Sequence, residues 1–232
     1  MKKFKFIFAA VLFFAASLQT GAQTPKYVFY MIGDGMGVNH VYATQAFSKA
    51  TGQPDLNFWN FPVRSYVTSY SANSLVTDSS AAGTALATGV KINNNAVGID
   101  PDGNATTTIA EYAKVKGIGT GLVTTAGVNH ATPAAFYAHT PSRNQYNEIA
   151  NQLIASKINF AGGSTILSSK GATPQEHVDK ARQAGINVFC GRDEYKSVKG
   201  ERVIYLSDDI RRGDLICALD RKEGDMKLAD FT

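Results

Sequence analysis

TTIAEYAKVKGIGTGLVT, residues 107–124, reads as a helix from Thr107 to Lys116 followed by a strand from Ile118 to Thr124. The same order recurs downstream. Asn147 to Ser156 is an amphipathic helix before a short strand, Ile158 to Phe160, and His177 to Gln183 precedes the strand-like Ile186 to Cys190. Val203 to Leu206 is one more strand. Upstream, Tyr27 to Ile32 (YVFYMI) reads as a buried strand ending in the glycine turn Gly33-Asp34-Gly35-Met36-Gly37, with a helical pattern from His40 to Ser48. Pro62 to Ser69 is a second expected strand. The Ala-rich Ser79 to Thr88 favours helix, and Lys91 to Asn104, rich in Asn and Gly, favours loop. Strands alternating with helices imply an α/β fold: a three-layer sandwich whose mainly parallel central sheet is covered on both faces. Such sheets place their sites at the carboxyl ends of strands, where Asp34, Ser79 and His130 are expected.

The 232 residues suffice for one sizeable α/β domain or part of a larger one. Lys2, Lys3 and Lys5 precede an apolar run from Phe6 to Leu18, and Thr20-Gly21-Ala22 ends in small residues. That pattern fits a cleavable export signal over residues 1–22, with a mature chain of 23–232. The run is short for a membrane span, so no stable membrane anchor is expected. The segment carries three Lys and no acid, so its removal lowers the formal charge from +4 to +1. No dense Lys/Arg run remains, and nucleic acid is not an expected partner. An exported chain meets an oxidising periplasmic or extracellular compartment, where Cys190 and Cys217 could pair or remain thiols.

Three stretches could carry chemistry. In Gly33-Asp34-Gly35-Met36-Gly37 a carboxylate flanked by glycines can approach a metal without crowding, or can simply cap a helix. In Val76-Thr77-Asp78-Ser79-Ser80-Ala81-Ala82-Gly83-Thr84-Ala85 a serine sits at a helix N-terminus, where backbone N–H groups and the dipole attract an anion. Asp78 or Ser79 could equally be the helix cap. In Asn129-His130-Ala131-Thr132-Pro133-Ala134-Ala135-Phe136-Tyr137-Ala138-His139, followed by Arg143, His130 and Thr132 could reach one metal. Arg143 offers a planar fork for phosphate oxygens. Each residue alone has an ordinary structural explanation.

Together and in this order, IGDGMG, VTDSSAAGTALATG and HATPAAFYAH resemble the alkaline phosphatase family. The similarity runs from about Tyr27 to Arg143 and more faintly beyond. The resemblance implies phosphate monoester substrates, two zinc ions and one magnesium, and a homodimer. It makes Ser79 the nucleophile that becomes phosphoserine and touches zinc, Arg143 the phosphate-binding arginine, and Asp78 the residue that orients it. Asp34 matches a carboxylate bridging magnesium and zinc, Thr132 a magnesium ligand, and His130 a position beside the magnesium.

The pattern is incomplete. Family members draw further zinc ligands and a magnesium Glu from their C-terminal half, but the four His here are His40, His130, His139 and His177. Nothing after His177 can donate an imidazole, and an EGGxID-like segment is absent. The chain is therefore expected to be the N-terminal part of a longer phosphatase, with little turnover alone and apolar surface left exposed. A phosphodiesterase or sulfatase of the same superfamily would use a different nucleophile context. A serine hydrolase using Ser79 and His130 would lack its GxSxG elbow, and a secreted phosphate-binding module would bind without turnover.

Overall fold

The computed structural model describes residues 25–192 and 200–231, so the expected export segment lies outside the described residues. The chain divides into two compact units, Met1–Met36 and Gly37–Thr232. The described part of the first unit is extended chain followed by a turn at Asp34 and Gly35. The Met36 N–H donates to the Gly33 carbonyl at 3.1 Å, and Gly35 takes a left-handed φ of 68°. Tyr27 to Ile32 is not a strand, and its side chains are exposed, Val28 and Phe29 each by 80%. Six apolar residues supply strand propensity, but a strand is made by a ladder with a neighbour. Here the sheet draws its four strands from residues 121–206.

The second unit opens with α1 (Val38–Ala50), longer at both ends than the pattern from His40 to Ser48. Pro62 to Ser69, the other expected strand, is irregular and exposed, with Val67 at 86%. Then come α2 (Ser79–Thr88), α3 (Ile109–Val115), β1 (Gly121–Val123) and the single-turn α4 (Ala131–Ala134). They are followed by α5 (Tyr146–Ala155), β2 (Phe160–Gly163), α6 (Pro174–Gln183), β3 (Asn187–Cys190) and β4 (Val203–Leu206). No helix among the described residues is long and apolar enough to cross a membrane.

Local chemistry explains the helix starts. Thr108 Oγ1 accepts from the Glu111 N–H at 3.1 Å while Glu111 Oε2 accepts from the Thr108 N–H at 2.8 Å. Thr173 and Glu176 repeat this reciprocal cap at α6, where Pro174 takes the first helical position and lacks a donor that would go unused. The end of α5 is held from outside: the Arg202 guanidinium donates to the carbonyls of Leu153, Ile154 and Ile158. A cation at a helix C-terminus also suits the dipole.

The sheet is parallel throughout in the order β1-β2-β4-β3, with Phe160 opposite both Gly121 and Val203, and Val203 opposite Asn187. Alternation along the strands sends side chains into two clusters. Ala161, Val188, Ile204 and Leu206 join Ile149, Leu153, Val178 and Ala181 of α5 and α6 in the main core. Phe160, Phe189 and Tyr205 meet Leu215, Met226 and Phe231. Tyr205 and Phe231 pack edge to face, 4.9 Å between ring centres. Helices thus cover one face, and the segment ending in the short turn Leu228–Phe231 covers the other. Cys190 is half-buried and Cys217 exposed, and no disulfide joins them.

Candidate active site

Ser79 is the first residue of α2, and Asp78 is its N-cap in extended conformation. Asp78 Oδ1 accepts from the Ala81 N–H at 2.9 Å, which satisfies one of the donors a helix leaves open at its start. The Ser80 hydroxyl lies 2.9 Å from both carboxylate oxygens and is buried beneath them. Ser79 itself is half-buried at the surface. The sequence thus places its serine where the first-turn N–H groups and the helix dipole face outward, and hands the capping task to its neighbour.

The Ala-rich face of α2 is the face it buries: Ser80, Ala81, Gly83, Thr84 and Ala87 point inward. A Cβ on Gly83 would stand 3.1 Å from Ala135 Cβ and 3.5 Å from the Thr132 carbonyl oxygen. The helix therefore lies directly on the HATPAA segment, one turn along from Ser79. His130 is the N-cap of α4 and Thr132 lies within it, both half-buried. That segment is pinned by buried Asn129, which donates to the carbonyls of Tyr146 and Leu167 and accepts from the Leu167 N–H at 2.6 Å. The buried Tyr137 hydroxyl donates to the Val128 carbonyl at 2.9 Å, and burial pushes its pKa well up.

Arg143 comes from the loop after this segment. Its Nη1 donates to Asp78 Oδ2 at 3.3 Å, with the two side chains 20% and 24% exposed. Burial alone would raise the Asp78 pKa. The Ala81 and Asn95 N–H groups, the Ser80 hydroxyl and Arg143 outweigh it and hold the carboxyl below the usual range. An anionic Asp78 can then cap the helix and hold the guanidinium together. The structure thus joins Arg143 to Asp78, the residue before Ser79, with Thr132 and His130 on the segment against which the Ser79 helix lies. Asp34 sits in the other unit, at its glycine turn.

Sequence reasoning passed over Asn94 and Asn95. Asn94 Oδ1 accepts from the Asp78 N–H at 3.1 Å and its Nδ2 donates to the Val76 carbonyl at 2.8 Å. The Asn95 N–H donates to Asp78 Oδ2 at 2.9 Å. The one available signal was the Asn run itself, since Asn tolerates left-handed backbone and bonds to nearby main chain. His139 also has a structural task. Its Nδ1 is 2.7 Å from the Gly98 carbonyl oxygen and its Nε2 3.0 Å from Glu111 Oε1, tying both the loop before α3 and α3 itself to the chain after α4. His177 is buried in α6 with Nε2 3.1 Å from Asn147 Oδ1; burial, with Lys180 nearby, lowers its pKa.

Zinc and magnesium set a stricter test. No three His, Cys, Asp or Glu among the described residues lie together as a cage. Zinc favours four nitrogen, sulfur or carboxylate donors and magnesium near-octahedral oxygen. The two hydroxyls and one imidazole of Ser79, Thr132 and His130 complete neither set.

Comparison with known proteins gives the class. The alkaline phosphatase family model matches residues 25–201. This chain belongs to the alkaline phosphatase family. Alkaline phosphatase 4 of Bacillus subtilis is 35% identical over 215 residues, covering 88% of this chain and 46% of that protein. The cold-active alkaline phosphatase of a psychrophilic Shewanella superposes with a TM-score of 0.67 at 32% identity, over 77% of this chain and 45% of that one. The Thermus thermophilus alkaline phosphatase gives 0.69 at 28% identity, over 82% and 42%. The chain spans about half the length of the curated relatives it matches.

Proposed function

We propose that this chain is part of a phosphate monoester hydrolase in which Ser79 is the nucleophile. The observation that carries the reading is the Asp78 carboxylate, which caps the Ser79 helix and holds Arg143 Nη1 at 3.3 Å. A dianionic phosphoryl group set against the first turn of α2 would meet backbone N–H groups and the guanidinium fork together. Ser79 Oγ, its proton passing to solvent, would attack phosphorus in line with the ester oxygen. The Oγ–P bond forms, the P–O bond to the leaving group breaks, and the departing alkoxide takes a proton from solvent. Water would then attack the phosphoserine, returning the serine hydroxyl and releasing orthophosphate. Little of this chemistry is covalent work by the protein, so positioning and charge neutralisation carry the rate.

A serine hydroxyl is a weak nucleophile without activation. Zinc and magnesium are the proposed cofactors, with Asp34, Ser79, His130 and Thr132 as this chain's share of the donors and the rest supplied by a longer polypeptide. The match to 46% of the length of each of the two Bacillus subtilis relatives supports that reading. Low turnover by the chain alone follows. Residues 1–22 would direct export to the periplasm or beyond, leaving 23–232 as the mature part, and the complete enzyme would pair as a homodimer.

Hydrolysis of p-nitrophenyl phosphate by the mature chain, with zinc and magnesium and beside Ser79→Ala, tests the assignment. Turnover above that of the variant, however small, supports it. Measurable and equal turnover by both would remove Ser79 from the chemistry.

A further inference from the structure

The Asn-rich loop between α2 and α3 does more than connect. We propose that Asn95 is a positioning residue that sets the Asp78–Arg143 pair in register through its own backbone. Its consequence for phosphate binding rests on the function proposed above.

Among the described residues Asn95 is the one non-glycine with positive φ, at 74°. Left-handed backbone is sparsely populated for residues with a side chain and persists where the surroundings dictate it. Here both faces of the peptide are used. The Asn95 N–H donates to Asp78 Oδ2, the same oxygen that receives Arg143 Nη1, and the Asn95 carbonyl accepts from the Arg143 N–H at 2.6 Å. Its Nδ2 donates to Ser142 Oγ at 3.2 Å, beside Arg143. One residue thus touches both members of the pair and fixes the main chain of the second.

The neighbours leave the loop little freedom. Asn94 grips the Asp78 N–H and the Val76 carbonyl, and its own N–H donates to Asn73 Oδ1 at 2.9 Å. Two residues on, Val97 exchanges both backbone bonds with Thr140, at 2.9 and 2.8 Å. Between these anchors, right-handed or extended backbone at position 95 would turn its N–H from Asp78 and its carbonyl from Arg143. The guanidinium gives Asp78 one Nη1 donor; a fork held at that corner keeps its other donors free to meet an anion.

Substitutions separate backbone from side chain. Asn95→Gly keeps left-handed freedom and both main-chain bonds and loses the contact to Ser142. Asn95→Ala disfavours that conformation, and Asn95→Val does so more strongly because it is β-branched. The experiment follows the Arg143 guanidinium N–H resonances in labelled protein, together with orthophosphate affinity in zinc- and magnesium-containing buffer. Asn95→Gly should keep the Arg143 resonances and bind phosphate within about twofold of the wild type, whereas Asn95→Ala and Asn95→Val should lose those resonances and bind about tenfold more weakly. Amide signals of α5 and the sheet should be unchanged in all three, and Asn95→Ala serves if Asn95→Val does not fold. Arg143 resonances in Asn95→Ala identical to the wild type would overturn the proposal, as would an equal loss in Asn95→Gly. A wild type that binds no phosphate while the resonances follow this series would instead retire the proposed function and leave the positioning role intact.

Discussion

Arg143 reaches Asp78 across 65 positions of chain, Nη1 to Oδ2 at 3.3 Å, and the same carboxylate caps the helix that begins at Ser79. One charged side chain therefore fixes both the serine's helix and the cation facing it. Helix start, loop and arginine form a single bonded unit because Asn95 joins them from the third side.

Asp78 thus has two separable tasks. Asp78→Ala should lower stability by about 1 kcal/mol from the lost cap alone. It should also weaken orthophosphate binding by releasing Arg143. Asp78→Ser should recover the cap and not the ion pair. Thermal denaturation beside calorimetric titration would show stability returning in the serine variant without affinity.

Gly98 has φ of 60° in a position where a Cβ would run into the Ala138 carbonyl oxygen and the His139 ring. Gly98→Ala should cost about 1–3 kcal/mol from backbone strain, and more from the clash. Denaturant unfolding with an unchanged m-value would assign the loss to the native state.

Glu111 carries a pH signature. Burial alone would raise its pKa, but the bond from His139, the Thr108 N–H and the charge attraction of His139 bring it below the ordinary value. A carboxyl lowered in the folded state adds stability that is present above the unfolded pKa and is lost as pH falls through the folded one. Glu111→Gln should therefore be less stable than the wild type near neutral pH, with the gap closing below about pH 4.3, the usual Glu value. The half-exposed carboxylate keeps the effect modest. Melting curves across acid pH for both proteins would test the convergence.

Much of this architecture was legible in the sequence. The amphipathic repeats of α5 and α6 and the short runs at β3 and β4 each carry their own burial pattern, and Ser79 to Thr88 is a helix over the expected range. Tyr27 to Ile32 and Pro62 to Ser69 were misread because an apolar run states what can be buried and not which strand will pair with it. Phe160–Gly163 runs past the expected Ile158 to Phe160 because Gly162 and Gly163 weaken the strand signal at its end. At the site, motif singles out Asp78, Ser79 and Arg143, and of these the structure joins Asp78 to Arg143. The bracket at Asn95 was not legible, because its bonds run from main chain to distant residues and leave no periodic trace.

Arg202 closes α5 from a residue far along the chain, donating to the Ile154 carbonyl at 3.0 Å and the Leu153 carbonyl at 3.2 Å. Arg202→Met keeps most of the apolar stem and removes the donors. It should destabilise by about 1–3 kcal/mol, the penalty for buried acceptors left without partners. Amide exchange should be fastest in the last turn of α5.

In the proposed function the α2 N-terminus and Arg143 together hold the phosphate. Titration of the mature chain with orthophosphate, in zinc- and magnesium-containing buffer and beside Arg143→Ala, tests it most directly. Saturable binding should weaken at least about tenfold in the variant, because a charge-assisted fork is removed. Equal affinity in both proteins, or no binding by the wild type, would contradict it.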